Sequence, residues 1–170
     1  MTSSERATIR PARPNDAPAV AALAHALSVH DNEPTGNFTP QAMRQAVFDD
    51  PRVRVLVAEI NGKVVGYAMF DDSYDTANAA RGLYLNDIIV EESVRGDGVA
   101  RRLMAAVMRE AKRQGDVFVW WVAKPTNPRA LAFYKKLGAI QVPTLAHVLF
   151  GPSFDTLADE AGADEAGETP

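Results

Sequence analysis

Apolar residues recur at changing spacings along the chain, and each spacing predicts an element. Residues 7–10 predict a short strand. Val20, Leu23, Ala24 and Leu27 then share one helical face, with Asn15 or Asp16 as the cap and Pro18 in the first turn. Residues 30–38 read as a loop. Thr39-Pro40 is a second cap followed by proline and predicts a helix to about Asp49. Residues 53–60 and 63–70 predict two strands joined by Asn61-Gly62, the pair that a tight hairpin turn with two positive φ angles favours. A polar stretch at 71–81 reads as a loop, and residues 83–90 as a third strand. Ala100, Leu103, Met104, Val107, Met108 and Ala111 follow helical spacing until Gly115 ends the helix. Residues 117–122 form an unbroken apolar run, which predicts a central strand buried on both faces. Asn127-Pro128 opens a helix that Gly138 stops, and residues 140–142 and 146–150 predict a last pair of strands. Residues 155–170 are acidic and rich in Ala and Gly, which predicts a disordered tail. The sum is an α/β chain, a mixed sheet with helices on its faces, in one domain over residues 7–154.

Composition narrows the possible functions. The chain has 170 residues, enough to bury a core, and 46% of them are apolar. The net charge of -4 gives no basic footprint for nucleic acid. Cysteine is absent, which removes disulfides, thiolate metal sites and a cysteine nucleophile together. No apolar run is long enough to span a membrane, and the first ten residues lack the apolar core of a signal peptide, so a cytoplasmic protein is expected. The three histidines have no paired spacing, so no metal site is expected. A Gly-x-Ser-x-Gly elbow is also missing, which disfavours a serine hydrolase.

Two segments carry chemistry. In the first, residues 88–90 lead through a short loop into Arg95-Gly96-Asp97-Gly98-Val99-Ala100 and the start of a helix. A helix start presents N–H groups without intrahelical partners, and small residues let an anion approach them. Arg95 adds a cation. Neither a Walker lysine nor the third glycine of a dinucleotide fingerprint is present. Taken alone, the segment is equally a glycine-containing loop before an ordinary helix. The second segment is Asn127-Pro128-Arg129-Ala130-Leu131-Ala132-Phe133-Tyr134-Lys135-Lys136-Leu137-Gly138-Ala139, with Asn127 as the cap. Taken alone, Phe133-Tyr134 reads as core packing. Trp120 and Trp121 are adjacent in a strand and must point to opposite faces, which reads as core filling for one ring.

In this order and at this spacing, Arg-Gly-x-Gly-x-Ala and Asn-x-x-Ala-x-x-Phe-Tyr-x-x-x-Gly resemble the GNAT superfamily of N-acetyltransferases over about residues 7 to 150. The resemblance implies the acyl-CoA N-acyltransferase fold and acetyl-CoA as cofactor. It implies that Arg95, Gly96, Asp97, Gly98, Val99, Ala100 and Arg101 hold the pyrophosphate. Ile88, Ile89 and Val90 would offer backbone groups to the pantetheine and acetyl carbonyl, with Asn127, Arg129 and Ala130 completing the cofactor site. It also implies that Tyr134 protonates the departing thiolate, and that the enzyme is a homodimer. A narrower resemblance joins Val65-Gly66-Tyr67-Ala68-Met69-Phe70, Ser73-Tyr74-Asp75 and Leu83-Tyr84-Leu85-Asn86-Asp87-Ile88-Ile89-Val90 to the diamine (spermidine/spermine) acetyltransferase group. That group has Glu-Asp where this chain has Asn86-Asp87. By the same resemblance, His30, Asp31, Asn86, Trp120 and Trp121 are candidates for binding the amine, and Asp87 for accepting its proton.

The expected reaction is direct acetyl transfer to a small amine that is diamine-, polyamine- or amino-acid-like. The missing carboxylate at Asn86 favours an amine that is not a polyamine. Acetylation of a protein or peptide, and a non-catalytic acyl-CoA sensor, are the other readings. No nucleic-acid or membrane partner is expected.

Overall fold

A computed structural model describes residues 6–49 and 52–167 of the chain. It falls into two compact units, Met1–Leu131 and Ala132–Pro170.

The first unit is a five-stranded sheet in the order β1-β2-β3-β4-β5. Strands β1 (Thr8–Pro11), β2 (Arg54–Ile60), β3 (Lys63–Asp75) and β4 (Ala80–Val90) are antiparallel neighbours, and β5 (Phe118–Trp120) lies parallel to β4. Asn61 and Gly62 turn the β2–β3 hairpin at φ 51° and 77°, as the dipeptide predicts. The register makes one face of the sheet from Val55 and Val57 of β2, Tyr67, Met69, Asp71 and Ser73 of β3, and Gly82, Tyr84, Asp87 and Ile89 of β4. Helix α1 (Ala17–Asp31) and helix α2 (Pro40–Arg44), which runs on into a π-turn at Gln45–Asp49, cover this face. Ala17, Val20, Ala24, Met43 and Val47 pack there with Val55, Val57, Tyr67, Met69 and Ile89. Thr39 caps α2 by accepting the Ala42 N–H at 3.1 Å.

The opposite face carries Phe70, Leu83, Leu85 and Val90 and receives helix α3 (Val99–Gln114). The buried stripe of α3 is Val99, Leu103, Met104, Ala106, Val107 and Ala111; of the predicted positions Leu103, Met104, Val107 and Ala111 are buried, whereas Ala100 is half-buried and Met108 exposed. Full burial of a side chain such as Leu103 contributes about 1.5–3 kcal/mol. Arg54 marks the side. Its guanidinium lies 5.0 Å from the centre of the Phe70 ring and 3.8 Å from Glu110 of α3.

Several expectations are corrected. Residues 71–81 are not a loop, because β3 runs on to Asp75 and β4 starts at Ala80. The polar residues there belong to a ladder whose outer half is exposed on one face, so polarity hid the strand. The run at 117–122 is not a central buried strand. Only Phe118–Trp120 pair, at the edge of the sheet, and Val117 and Val122 are exposed. Asp16 precedes α1 but does not cap it, because its carboxylate is taken by Arg10 at 2.7 Å and by the Arg13 N–H at 2.6 Å. Helix α1 also runs past Leu27, where the apolar pattern stops, as far as Asp31. Asn32 ends it in the left-handed conformation at φ 55°, so His30 and Asp31 belong to the helix and not to the loop.

The second unit holds the end of helix α4 (Pro128–Leu137) and helix α5 (Pro152–Gly167). Residues 140–142 and 146–150 form no strand ladder, and Ile140, Val142, Leu145, Val148, Leu149 and Phe150 are exposed. Strand geometry needs a partner for its backbone groups, and Pro143 cannot donate. From Asp155 onward, where the composition suggests a loose tail, α5 continues to Gly167. The Gly151 carbonyl accepts the N–H groups of Phe154 and Asp155 at its start, and its many alanines favour helix.

Candidate active site

The site is built around two irregularities of β4. The first is a bulge. Met69 pairs with Asp87 while its neighbour Phe70 pairs with Leu85, so Asn86 is the extra residue on β4. Asn86 is therefore exposed, and Asp87 comes onto the α1 face beside Tyr84. The second is divergence. β5 pairs only Phe118, Val119 and Trp120 with Gly82, Leu83 and Tyr84. Beyond Tyr84 β4 continues to Val90 without a β5 partner, so no β5 ladder takes the backbone groups that residues 86–90 present on that edge.

Asp87 is held from below. The Tyr67 hydroxyl donates to its Oδ2 at 3.3 Å, and Tyr67 is fully buried. Burial first, then the Asp87 charge and this hydrogen bond, push the Tyr67 phenol far above its ordinary range, so it stays a donor. Tyr84 is also raised, by burial and then by the charges of Asp71 and Asp87. Its ring meets that of Trp120 at 4.6 Å between centres, tilted by 51°. Trp120 is half-exposed and anchored by its Nε1–H, which donates to Ser73 Oγ at 2.9 Å. Gly82 makes room for this arrangement, since a Cβ there would stand 2.5 Å from the Phe118 ring. Trp120 is thus the more exposed ring of the pair, and Trp121 is half-buried.

At the far end of β4 the chain enters the predicted anion loop. The Glu91 N–H donates to the Val65 carbonyl at 2.8 Å, and Arg95 Nε to the Val90 carbonyl at 2.9 Å. Gly96 and Gly98 take φ 101° and 80°, which side-chain-bearing residues rarely adopt, and nothing lies within 4 Å of where their Cβ atoms would be. Gly98 is the residue from which α3 starts. The loop therefore offers first-turn N–H groups of α3 with open space before them and a guanidinium behind, which fits a pyrophosphate. Ile89, Val90 and Val99 have buried side chains, so only their backbones face such a ligand. Asp97 and Arg101 are exposed.

The remaining candidates are spread more widely. Asn127 caps α4 as predicted, its Oδ1 accepting the Ala130 N–H at 3.0 Å, and Arg129 is exposed in the first turn. Tyr134 is half-buried on α4, with its ring 5.4 Å from that of Phe133. His30 is exposed in the last turn of α1; the side chain of Asp31 lies outside the described residues. Just after α1, Glu33 pairs with Lys124 at 2.6 Å. Among the described residues no group of three or more His, Asp or Glu side chains is placed to hold a metal ion, and no helix is long and apolar enough to cross a membrane. Sequence reading missed Tyr67, Asp71, Ser73 and Gly82 as parts of the site. Strand alternation carried to Asp75 would have put three of them on the face of Asp87.

A bulged, splayed strand that leads through a glycine loop into a helix defines an acyl-CoA transferase type of site. The sequence matches the Acetyltransferase (GNAT) family over residues 23–139, and the chain belongs to that family, whose enzymes use acetyl-CoA as acyl donor. It is similar to an L-ornithine N5-acetyltransferase of Arabidopsis thaliana, with 32% identity over 61% of this chain and 47% of that protein. It is also 30% identical to an L-methionine sulfoximine/L-methionine sulfone acetyltransferase of Pseudomonas paraeruginosa, over 78% of this chain and 79% of that one. The chain spans about half the length of several relatives it matches. In fold it resembles an integron cassette protein from the mobile metagenome of V. cholerae, with a TM-score of 0.75 and 22% identity, covering 90% of this chain and 98% of that one. The relatives bear out the family; the narrower diamine group is not what they single out.

Proposed function

We propose that the protein transfers the acetyl group of acetyl-CoA directly to the primary amine of a small molecule that is amino-acid-like or singly charged. The observation that carries this reading is the bulge at Asn86, which brings the anchored carboxylate of Asp87 to the edge of β4 that β5 leaves open.

Bound in the loop Arg95 to Ala100, the cofactor supplies an acetyl thioester. An alkylammonium has a pKa near 10.4 in the lysine case, so the amine must lose a proton before it attacks. Asp87 accepts that proton, directly or through water, with Tyr67 fixing its orientation. Backbone N–H groups of Ile88 and Val90, which point to the open edge, steady the oxygen that gains charge. Tyr134 is assigned the proton donor to the leaving sulfur on its place in the family motif; a phenol near pKa 10 can protonate a thiolate whose acid lies near 8.5. Holding two reactants in one geometry supplies much of the acceleration. Asn86 offers a carbonyl oxygen but no charge, which weighs against polyamines. The reading includes a homodimer, supported by the exposed apolar residues from Ile140 to Leu157.

Thiol release from acetyl-CoA with a panel of diamines, polyamines, amino acids, aminoglycosides and short peptides tests this. Small amino-acid-like amines are expected to lead spermidine, and Asn86→Glu to shift preference towards spermidine. Cofactor binding without release by any amine would make the protein a sensor, and release by peptides alone a protein acetyltransferase.

A further inference from the structure

The register places a second carboxylate on the face of Asp87. Asp71 of β3 pairs with Tyr84 of β4, which pairs in turn with Trp120 of β5, so carboxylate and two rings form one row. Met69, which pairs with Asp87, is two residues from Asp71 along β3. Two residues along a strand and one strand across separate the Cα atoms of Asp71 and Asp87 by about 8 Å. Asp71 is half-buried, and among the described residues its carboxylate makes no ion pair. It also lines a cavity of about 550 Å³ with Arg52, Arg54 and Asp72. Arg54 is committed to Asp72 and Glu110. Arg52 stands at the cavity with a guanidinium whose five N–H donors can serve a carboxylate while keeping a protein contact.

We propose that Asp71 and Arg52 recognise the α-amino-acid end of the substrate, Asp71 taking its ammonium and Arg52 its carboxylate, while the side-chain amine is acetylated beside Asp87. The substrate is then a diamino acid whose two nitrogens are separated by a few methylenes, the span between the two carboxylates. A lining of two arginines and two aspartates suits a zwitterion, and the Tyr84–Trp120 pair gives the connecting methylenes an apolar wall. The charge absent at Asn86 is supplied from the neighbouring strand. This assignment rests on the acetyltransferase reading.

The test uses the full chain, acetyl-CoA and three acceptors: ornithine; 1,4-diaminobutane, which lacks the carboxylate; and 5-aminopentanoate, which lacks the α-amine. Wild type is expected to favour ornithine in kcat/KM. Asp71→Asn should lower kcat/KM about ten- to a hundredfold for ornithine and 1,4-diaminobutane and leave 5-aminopentanoate unchanged, as loss of a charge-assisted hydrogen bond predicts. Arg52→Gln should lower ornithine and 5-aminopentanoate and spare 1,4-diaminobutane. Asp71→Glu should recover part of the loss, and thermal melts establish that each variant is folded. Turnover by wild type with acceptor ratios unmoved in folded variants overturns the assignment alone. Absence of thiol release with every amine overturns the acetyltransferase reading and this assignment with it.

Discussion

Strand β4 has two edges, and they are treated differently. Towards β3 it is paired along its whole length, from Ala80 to Val90, with one interruption at Asn86. Towards β5 it is paired over Gly82, Leu83 and Tyr84 only. Both edges contain a glycine at a tight contact. Gly66 of β3 lies where a Cβ would come 2.8 Å from the Ile89 carbonyl oxygen; Gly82 lies under the Phe118 ring. The first contact is backbone against backbone and cannot give. The second is a ring at the sheet edge and can swing. The closed edge thus holds the scaffold, and the open edge, where the proposed reaction takes place, leaves its side chains room to move.

The largest expected effect is at the end of the closed edge, at the loop proposed to hold the cofactor. Gly98→Glu puts a side chain at φ 80° and a negative charge before the first turn of α3. Acetyl-CoA binding by calorimetry should fall below detection while the melting temperature drops only modestly. Unchanged affinity in a folded variant removes the loop from the cofactor site. Next is the acid role proposed for Tyr134. Tyr134→Phe should lower kcat by roughly 10²–10⁴-fold with cofactor affinity nearly kept. A variant at wild-type rate would return Tyr134 to a packing role.

The two glycines sharpen the comparison directly. Gly66→Ala should destabilise by about 2–3 kcal/mol and Gly82→Ala by about 1 kcal/mol, the two ends of the overpacking range. Gly82→Ala should nevertheless cost more in kcat/KM, because moving Phe118 disturbs the Trp120–Ser73 anchor. Denaturant melts and rates on the same two variants decide it; a reversed order on both readouts would mean that the edges do not divide the labour.

The last effect, on stability and not on the site, lies at β1, away from both edges. Asp16 is held below the usual carboxylate range by Arg10 and by the Arg13 N–H. A depressed folded value gives stability that is present above the ordinary value near 3.9 and lost as pH falls through the folded one. Urea midpoints should therefore decline as pH drops below about 4, and Asp16→Asn should flatten part of that decline while costing about 1–3 kcal/mol at neutral pH.

How far the sequence reaches follows the same division. The anion loop, α3, the Asn61-Gly62 hairpin and the Asn127 cap were legible because each depends on residues close in the chain. The side proposed for the acceptor was not. Asp71, Ser73 and Tyr67 gain meaning only from the register between β3 and β4, and a one-residue bulge sets that register. The polar run at 71–75 read as loop because its strand is exposed on one face. The apolar run at 117–122 read as a central strand because apolar composition does not tell an edge strand beside a cleft from a buried one. The late strands failed for want of a ladder partner within their own unit.

The bulge has one more consequence. Before Asn86 the odd-numbered residues of β4, Leu83 and Leu85, face α3; after it the even-numbered Ile88 and Val90 take that side, while Asp87 and Ile89 turn to the other. β4 is in effect a strand with a shifted reading frame. Deleting Asn86 would not merely remove a side chain from the cleft: healed into a regular ladder, the strand would keep Leu85 and Asp87 on opposite faces and so preserve the frame on both sides. The position is therefore the one place in β4 where the chain can lose a residue without turning its core inside out.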